Sequence, residues 1–149
     1  MSIGNICVRC VFTIAGDADV VEAARRMREL HVGFLIVTDP AGDAGRPIGV
    51  VTDRDLVLEV LAQDVPPRSV AIEDIMTPDP LIVRESDELH ETLLRMRAAG
   101  VRRVPVQDAQ GKLVGVLSVD DVVGFLNETV QDLAGAISRE MNVERRLRA

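Results

Sequence analysis

The chain has 149 residues, enough for one sizeable core or two small ones sharing an interface. Its 24 acids against 17 bases leave a formal charge of −7, which opposes the phosphate neutralisation that drives binding to duplex nucleic acid. With no Trp or Tyr and three Phe, it also lacks the stacking platforms of single-strand binders. Hydrophobic residues make up 47%, yet no apolar run approaches the roughly 20 residues that cross a bilayer. The N-terminal apolar stretch is interrupted by Arg9 and lacks a basic leader and a small-residue cleavage site. A cytoplasmic location, with neither nucleic acid nor membrane as partner, is the expectation.

Cys7 and Cys10 form a Cys-x-x-Cys in or beside an N-terminal apolar strand. A metal site would need two more ligands, and His31 and His90 are the only histidines. A redox pair would want a helix N-terminus to stabilise thiolate. Neither context is visible, so no metal is expected.

Val20, Ala23, Ala24, Met27 and Leu30 then recur at helical spacing, opened by Asp19 with Glu22 three positions on. A β-run Phe34-Leu35-Ile36-Val37 follows. Pro40, Gly42 and Gly45 mark the loop before Arg46. A strand from Ile48 to Thr52 and a helix from about Asp53 to Leu61 close this unit, and Pro66-Pro67 supplies a linker. After Ile72-Glu73-Asp74-Ile75-Met76-Thr77 come a strand Leu81-Ile82-Val83 and a helix entered at Ser86 or Asp87, with Leu89, Leu93 and Met96 as its apolar stripe and Gly100 as its stop. A strand from Val104 to Gln107, a turn Asp108-Ala109-Gln110-Gly111, a strand from Leu113 to Leu117 and a helix from Asp120 complete the second unit. Beyond Gly124, Leu126, Val130, Leu133, Ile137 and Met141 extend a helical apolar stripe that needs cover, either from the body or from another subunit.

The order strand, helix, strand, strand, helix thus occurs twice. Its clearest marker is Gly49-Val50-Val51-Thr52-Asp53-Arg54-Asp55, which returns 66 residues later as Gly115-Val116-Leu117-Ser118-Val119-Asp120-Asp121. A Thr or Ser at a strand-to-helix junction with an acid three residues on satisfies orphan backbone donors as a capping box. The same groups suit a nucleotide: a helix start offers N–H groups to a phosphate, and an ionised Asp accepts hydrogen bonds from ribose hydroxyls. Both accounts stay open at this point. The paired acids are normal for a first helical turn, and no nucleophile motif accompanies the histidines, so no enzyme is expected.

The two Gly-h-h-Thr/Ser-x-x-Asp motifs, the run Asp74-Ile75-Met76-Thr77, and Gly100-Val101-Arg102-Arg103-Val104-Pro105-Val106 resemble a tandem pair of cystathionine-β-synthase (CBS) domains, a Bateman module, over roughly residues 6 to 127. The fold class expected is therefore α/β (α+β): two pseudo-symmetric β-α-β-β-α repeats, 1–65 and 66–127, packed through their sheets, with a C-terminal helical extension over 128–149. The resemblance implies a stand-alone regulatory module. It would bind an adenosine-containing ligand (AMP, ADP, ATP, S-adenosylmethionine or an NAD-type compound) between the repeats, with no obligatory cofactor, a homodimer and an effector protein as partners. The alternative is a dimeric interaction scaffold with vestigial clefts. Carried over, Thr52, Arg54 and Asp55 face Thr77, Arg102, Arg103, Val104 and Pro105 in one cleft, with Asp55 on the ribose and the arginines on phosphate. The other cleft gathers Val8, Gly33, Phe34, Ser118 and Asp121. Gly33 and Phe34 stand where the second unit has Arg102 and Arg103, so the Asp55 cleft is expected to be favoured.

Overall fold

The computed structural model describes residues 1–42 and 46–148; the breaker Gly45 lies outside them. The first unit runs β1 (Thr13–Ala15), α1 (Val20–Leu30), β2 (Phe34–Thr38), β3 (Pro47–Thr52) and α2 (Asp53–Asp55). Helix α2 continues over Leu56–Leu61 in a wider i→i+5 pattern that ends with the Ala62 N–H on the Val57 carbonyl at 2.8 Å. A linker helix α3 (Ile72–Ile75) and strand β4 (Thr77–Pro78) follow. The second unit is β5 (Val83–Arg84), α4 (Leu89–Ala99), β6 (Arg103–Gln107), β7 (Leu113–Ser118) and α5 (Val119–Leu147).

Local chemistry explains most boundaries. Asp19 caps α1 by accepting from the Glu22 N–H at 2.9 Å. The two long helices of the repeats stop at left-handed residues in equivalent places, His31 (φ 55°) after α1 and Gly100 (φ 67°) after α4. Asp108 Oδ1 accepts from the N–H groups of Gln110 and Lys112, closing the β6–β7 turn with Gly111 at φ 81°. Two expectations need correction. The strand read as Leu81 to Val83 is Val83–Arg84, because pairing begins only where Val83 meets Val106. The stretch around Cys7 and Cys10 is no regular strand; the chain forms a short helical turn at Ile3–Asn5 and bridges to β7 at Val8.

Two sheets result. The first has the order β1-β2-β3-β4 and the second β5-β6-β7; β1 lies parallel to β2 and β5 parallel to β6, the other pairs being antiparallel. The linker strand β4 pairs with the first unit, Thr77 opposite Val50. Reciprocally, the N-terminal segment joins the second unit: the Val8 and Val116 N–H groups each donate to the other's carbonyl at 2.9 Å, and the Ile3 N–H donates to Asp87 O. Burial follows this exchange. One core holds Ile14, Ala23, Leu35, Val37, Val51 and Val60 together with Ile72 from the linker. The other holds Val83, Met96, Val104, Val106 and Leu117 together with Ile3 and Cys7.

The exchange accounts for the glycine that opens each repeated motif. A Cβ on Gly49 would collide with the Met76 side chain, and one on Gly115 would meet Val8 O at 2.9 Å and Cys7 Sγ at 3.0 Å. Only glycine lets the crossing segment lie that close. Cys7 is consequently a packing residue, the counterpart of Met76. Burial pushes its thiol up from the ordinary value, and Cys10 is exposed.

Helix α5 leaves the body. Val122 is buried and Phe125 half-buried, whereas every residue from Leu126 to Arg148 is exposed. Burial therefore ends at Phe125, inside one continuous helix. No helix among the described residues is long and apolar enough to cross a membrane.

Candidate functional site

The two strand-to-helix junctions carry the repeated acids. At the end of β3, Asp55 Oδ2 accepts from the Thr52 N–H at 2.7 Å and from Thr52 Oγ1 at 2.9 Å, while the Asp55 N–H donates to Thr52 Oγ1 at 3.2 Å. At the end of β7, the Ser118 N–H donates to Asp121 Oδ2 at 3.1 Å, Ser118 Oγ donates to the same oxygen, and the Asp121 N–H donates to Ser118 Oγ at 3.1 Å. Both are full capping boxes. In each, the bonds fall on Oδ2, and among the described residues Oδ1 of Asp55 and of Asp121 receives none. Both acids are half-buried. A carboxylate held this way presents a fixed second oxygen as an acceptor, the group a vicinal diol would seek.

The surroundings of the two junctions differ. Phe34 lies opposite Thr52 across the sheet, and the Asp53 N–H donates to Gly33 O at 3.1 Å. At the second junction Arg103 lies opposite Ser118, and the Val119 N–H donates to Arg102 O at 2.9 Å. Thr77 is exposed on β4, paired with Val50 two residues before Thr52; Val8, 45% exposed, holds the same place beside β7. Val104 and Pro105 are buried in β6.

The described contacts thus gather Thr52, Asp55, Gly33, Phe34 and Thr77 around one sheet end. They gather Ser118, Asp121, Arg102, Arg103 and Val8 around the other. Arg102 Nη2 lies 3.0 Å from Asp120 Oδ1, and Arg103 Nη2 lies 3.6 Å from Asp120 Oδ2. Asp120 therefore serves as counter-ion to both arginines, a role that sequence reading left unassigned. The signal was available, since Asp120 occupies the place of Arg54 in the repeat and reverses its charge. Arg54 is exposed at the start of α2 and makes no ion pair among the described residues. The Asp53 carboxylate packs so closely on Gly33 that a Cβ there would come within 2.5 Å of Asp53 Oδ2.

A hollow of about 320 Å³ opens elsewhere, between α1 and the continuation of α2, lined by Val20, Ala24, Leu56, Val60, Leu61 and Pro67. It explains why Ala24, expected on the buried stripe, is exposed. It contains none of the junction residues.

Comparison with known proteins agrees with the doubled architecture. The CBS domain family model matches twice, over residues 3–62 and 72–128. An uncharacterized protein of Methanopyrus kandleri is 34% identical over 123 residues, the match covering 83% of this chain and 61% of that one. Another, YlbB of Bacillus subtilis, is 37% identical over 118 residues, covering 79% and 76%. Among solved structures, a CBS domain protein of Pyrobaculum aerophilum complexed with AMP superimposes with a TM-score of 0.72 at 28% identity, covering 81% of this chain and 89% of that one. Two matched copies, with junctions that agree bond for bond, place this chain in the CBS domain family as a tandem pair.

Proposed function

We propose that the chain is a regulatory module that binds an adenosine-containing ligand at the Asp55 junction and passes its occupancy to a partner protein. The observation that carries this reading is the geometry of Asp55, whose capping bonds occupy one carboxylate oxygen and leave the other to accept from a ribose. Thr77 stands on the neighbouring strand for the adenine edge. Arg54 supplies a cation without a counter-ion among the described residues, and its planar fork suits phosphate. The AMP complex of the Pyrobaculum relative supports the ligand class. Arg102 and Arg103, with the buried Val104 and Pro105 of the same strand, were expected opposite Asp55 but stand beside the Ser118–Asp121 junction with Asp120 as counter-ion, because β6 pairs with β7 of its own repeat. Arg54 is therefore the cation proposed for phosphate at the Asp55 junction. The Ser118–Asp121 junction, with Val8, is the weaker second site. The module is homodimeric and performs no chemistry on its ligand.

Titration calorimetry with AMP, ADP, ATP, S-adenosylmethionine and NADH tests this, using Asp55→Ala, Asp55→Asn and Asp121→Ala. The expected result is saturable binding by at least one compound, lost in both Asp55 variants, kept in Asp121→Ala, with the nucleotide recovered unchanged. Loss in Asp121→Ala alone would move the site to the other junction. A second reading, an interaction scaffold with vestigial clefts, is favoured by the fact that both acids already cap helices; absence of binding across the panel would select it.

A further inference from the structure

The apolar stripe of α5 has a period and a composition. With Val123 set as position a of a heptad, the a positions are Val123, Val130 and Ile137 and the d positions are Leu126 and Leu133. β-Branched residues at a with leucine at d are the combination that favours a parallel two-stranded coiled coil. All five side chains are open to solvent in the single chain, at 60%, 62% and 59% for the a positions and 51% and 61% for the d positions. The flanking e and g places hold Asn127, Thr129, Ala134 and Ala136, none charged, so nothing beside the seam opposes a second copy of itself. The charges Glu128, Asp132 and Arg139 fall on the outer face at f, c and c.

We infer that α5 pairs with α5 of a second copy as a parallel coiled coil with its seam from Val123 to Ile137, ending near Met141. This deepens the homodimer reading above and is independent of ligand binding. The next seam places are Glu140 and Glu144, which would meet their own copies and so end the contact. Two heptads are short for a free coiled coil. Here Val122 is buried in the second core, so the helix starts from a formed turn and avoids the cost of nucleation. An antiparallel pair centred on Val130 would carry residues 142–148 past the partner's helix start and into its second repeat. The parallel arrangement leaves both C-terminal ends clear.

Two arms of one experiment decide it. Sedimentation equilibrium of the full chain should show a dimer, and Leu126→Glu/Ile137→Glu should raise its dissociation constant by at least about tenfold, since each pairing would bury unpaired charge. Circular dichroism confirms that the variant is folded, its sites being exposed. In a Cys10→Ser background, Leu126→Cys and Leu133→Cys should each form a disulfide-linked dimer under mild oxidation, position facing position. Cross-linking only when the two variants are mixed would show an antiparallel pair and overturn the proposal. A dimer indifferent to the glutamates would overturn the seam but keep the homodimer. A wild-type monomer at all concentrations would overturn both.

Discussion

The junctions at Thr52 and Ser118 repeat the same hydrogen bonds and share little else. Around the first stand Gly33, Phe34 and an Arg54 with no ion pair among the described residues; around the second, Arg102 and Arg103 are tied to Asp120. The backbone explains what the copies have in common. A helix start needs its donors satisfied, and the crossing segments need a glycine beneath them. Nothing in the backbone dictates the charge beside the cap, and there the two copies differ. Symmetry of fold and asymmetry of chemistry therefore occupy neighbouring residues.

The comparison can be pressed first at the cores. Leu35→Ala and Leu117→Ala, both fully buried and in different clusters, should each cost about 2–5 kcal/mol. Because each core borrows residues from across the linker, urea unfolding should remain one transition in both variants. Two transitions would make the repeats separate folding units. The caps come next: Thr52→Ala and Ser118→Ala should each cost about 1 kcal/mol, and a difference well beyond that, read from denaturation midpoints, would show that one junction is held by more than its cap. The smallest effect is expected at the helix stops. His31→Gly, which copies Gly100 of the second repeat, relieves a left-handed non-glycine residue and should stabilise by roughly 0.5 kcal/mol; a destabilised variant would mean that the imidazole has a role the backbone does not reveal.

Much of this architecture was legible from periodicity and punctuation. The α1 stripe, the Asp19 cap, the Gly100 stop and the Asp108 turn stand close to where the residues predict them. The capping boxes were readable from the spacing of Thr52 with Asp55 and of Ser118 with Asp121. What escaped was non-local. Strand exchange depends on contacts between segments far apart in sequence, so the glycines at 49 and 115 looked like motif letters and Cys7 like half of a Cys-x-x-Cys. The shortening of β5 to Val83–Arg84 is likewise set by its partner Val106. At the site, the pairing of Arg102 and Arg103 with Asp120 is tertiary, whereas the Thr–Asp geometry is local and was visible.

The reciprocal placement of Val8 and Thr77 bears on how such a chain can be taken apart. A polypeptide ending at the Pro66-Pro67 linker would keep Ile3 and Val8 but lose the sheet they belong to, and its own β3 would be left as a bare edge open to any extended stranger. The complementary half would lack both the Val8 segment that bridges to β7 and the side chains of Ile3 and Cys7. Separately expressed halves should therefore be sticky and poorly folded, and mixing them should restore each to order, as two pieces of a clasp that close only on one another.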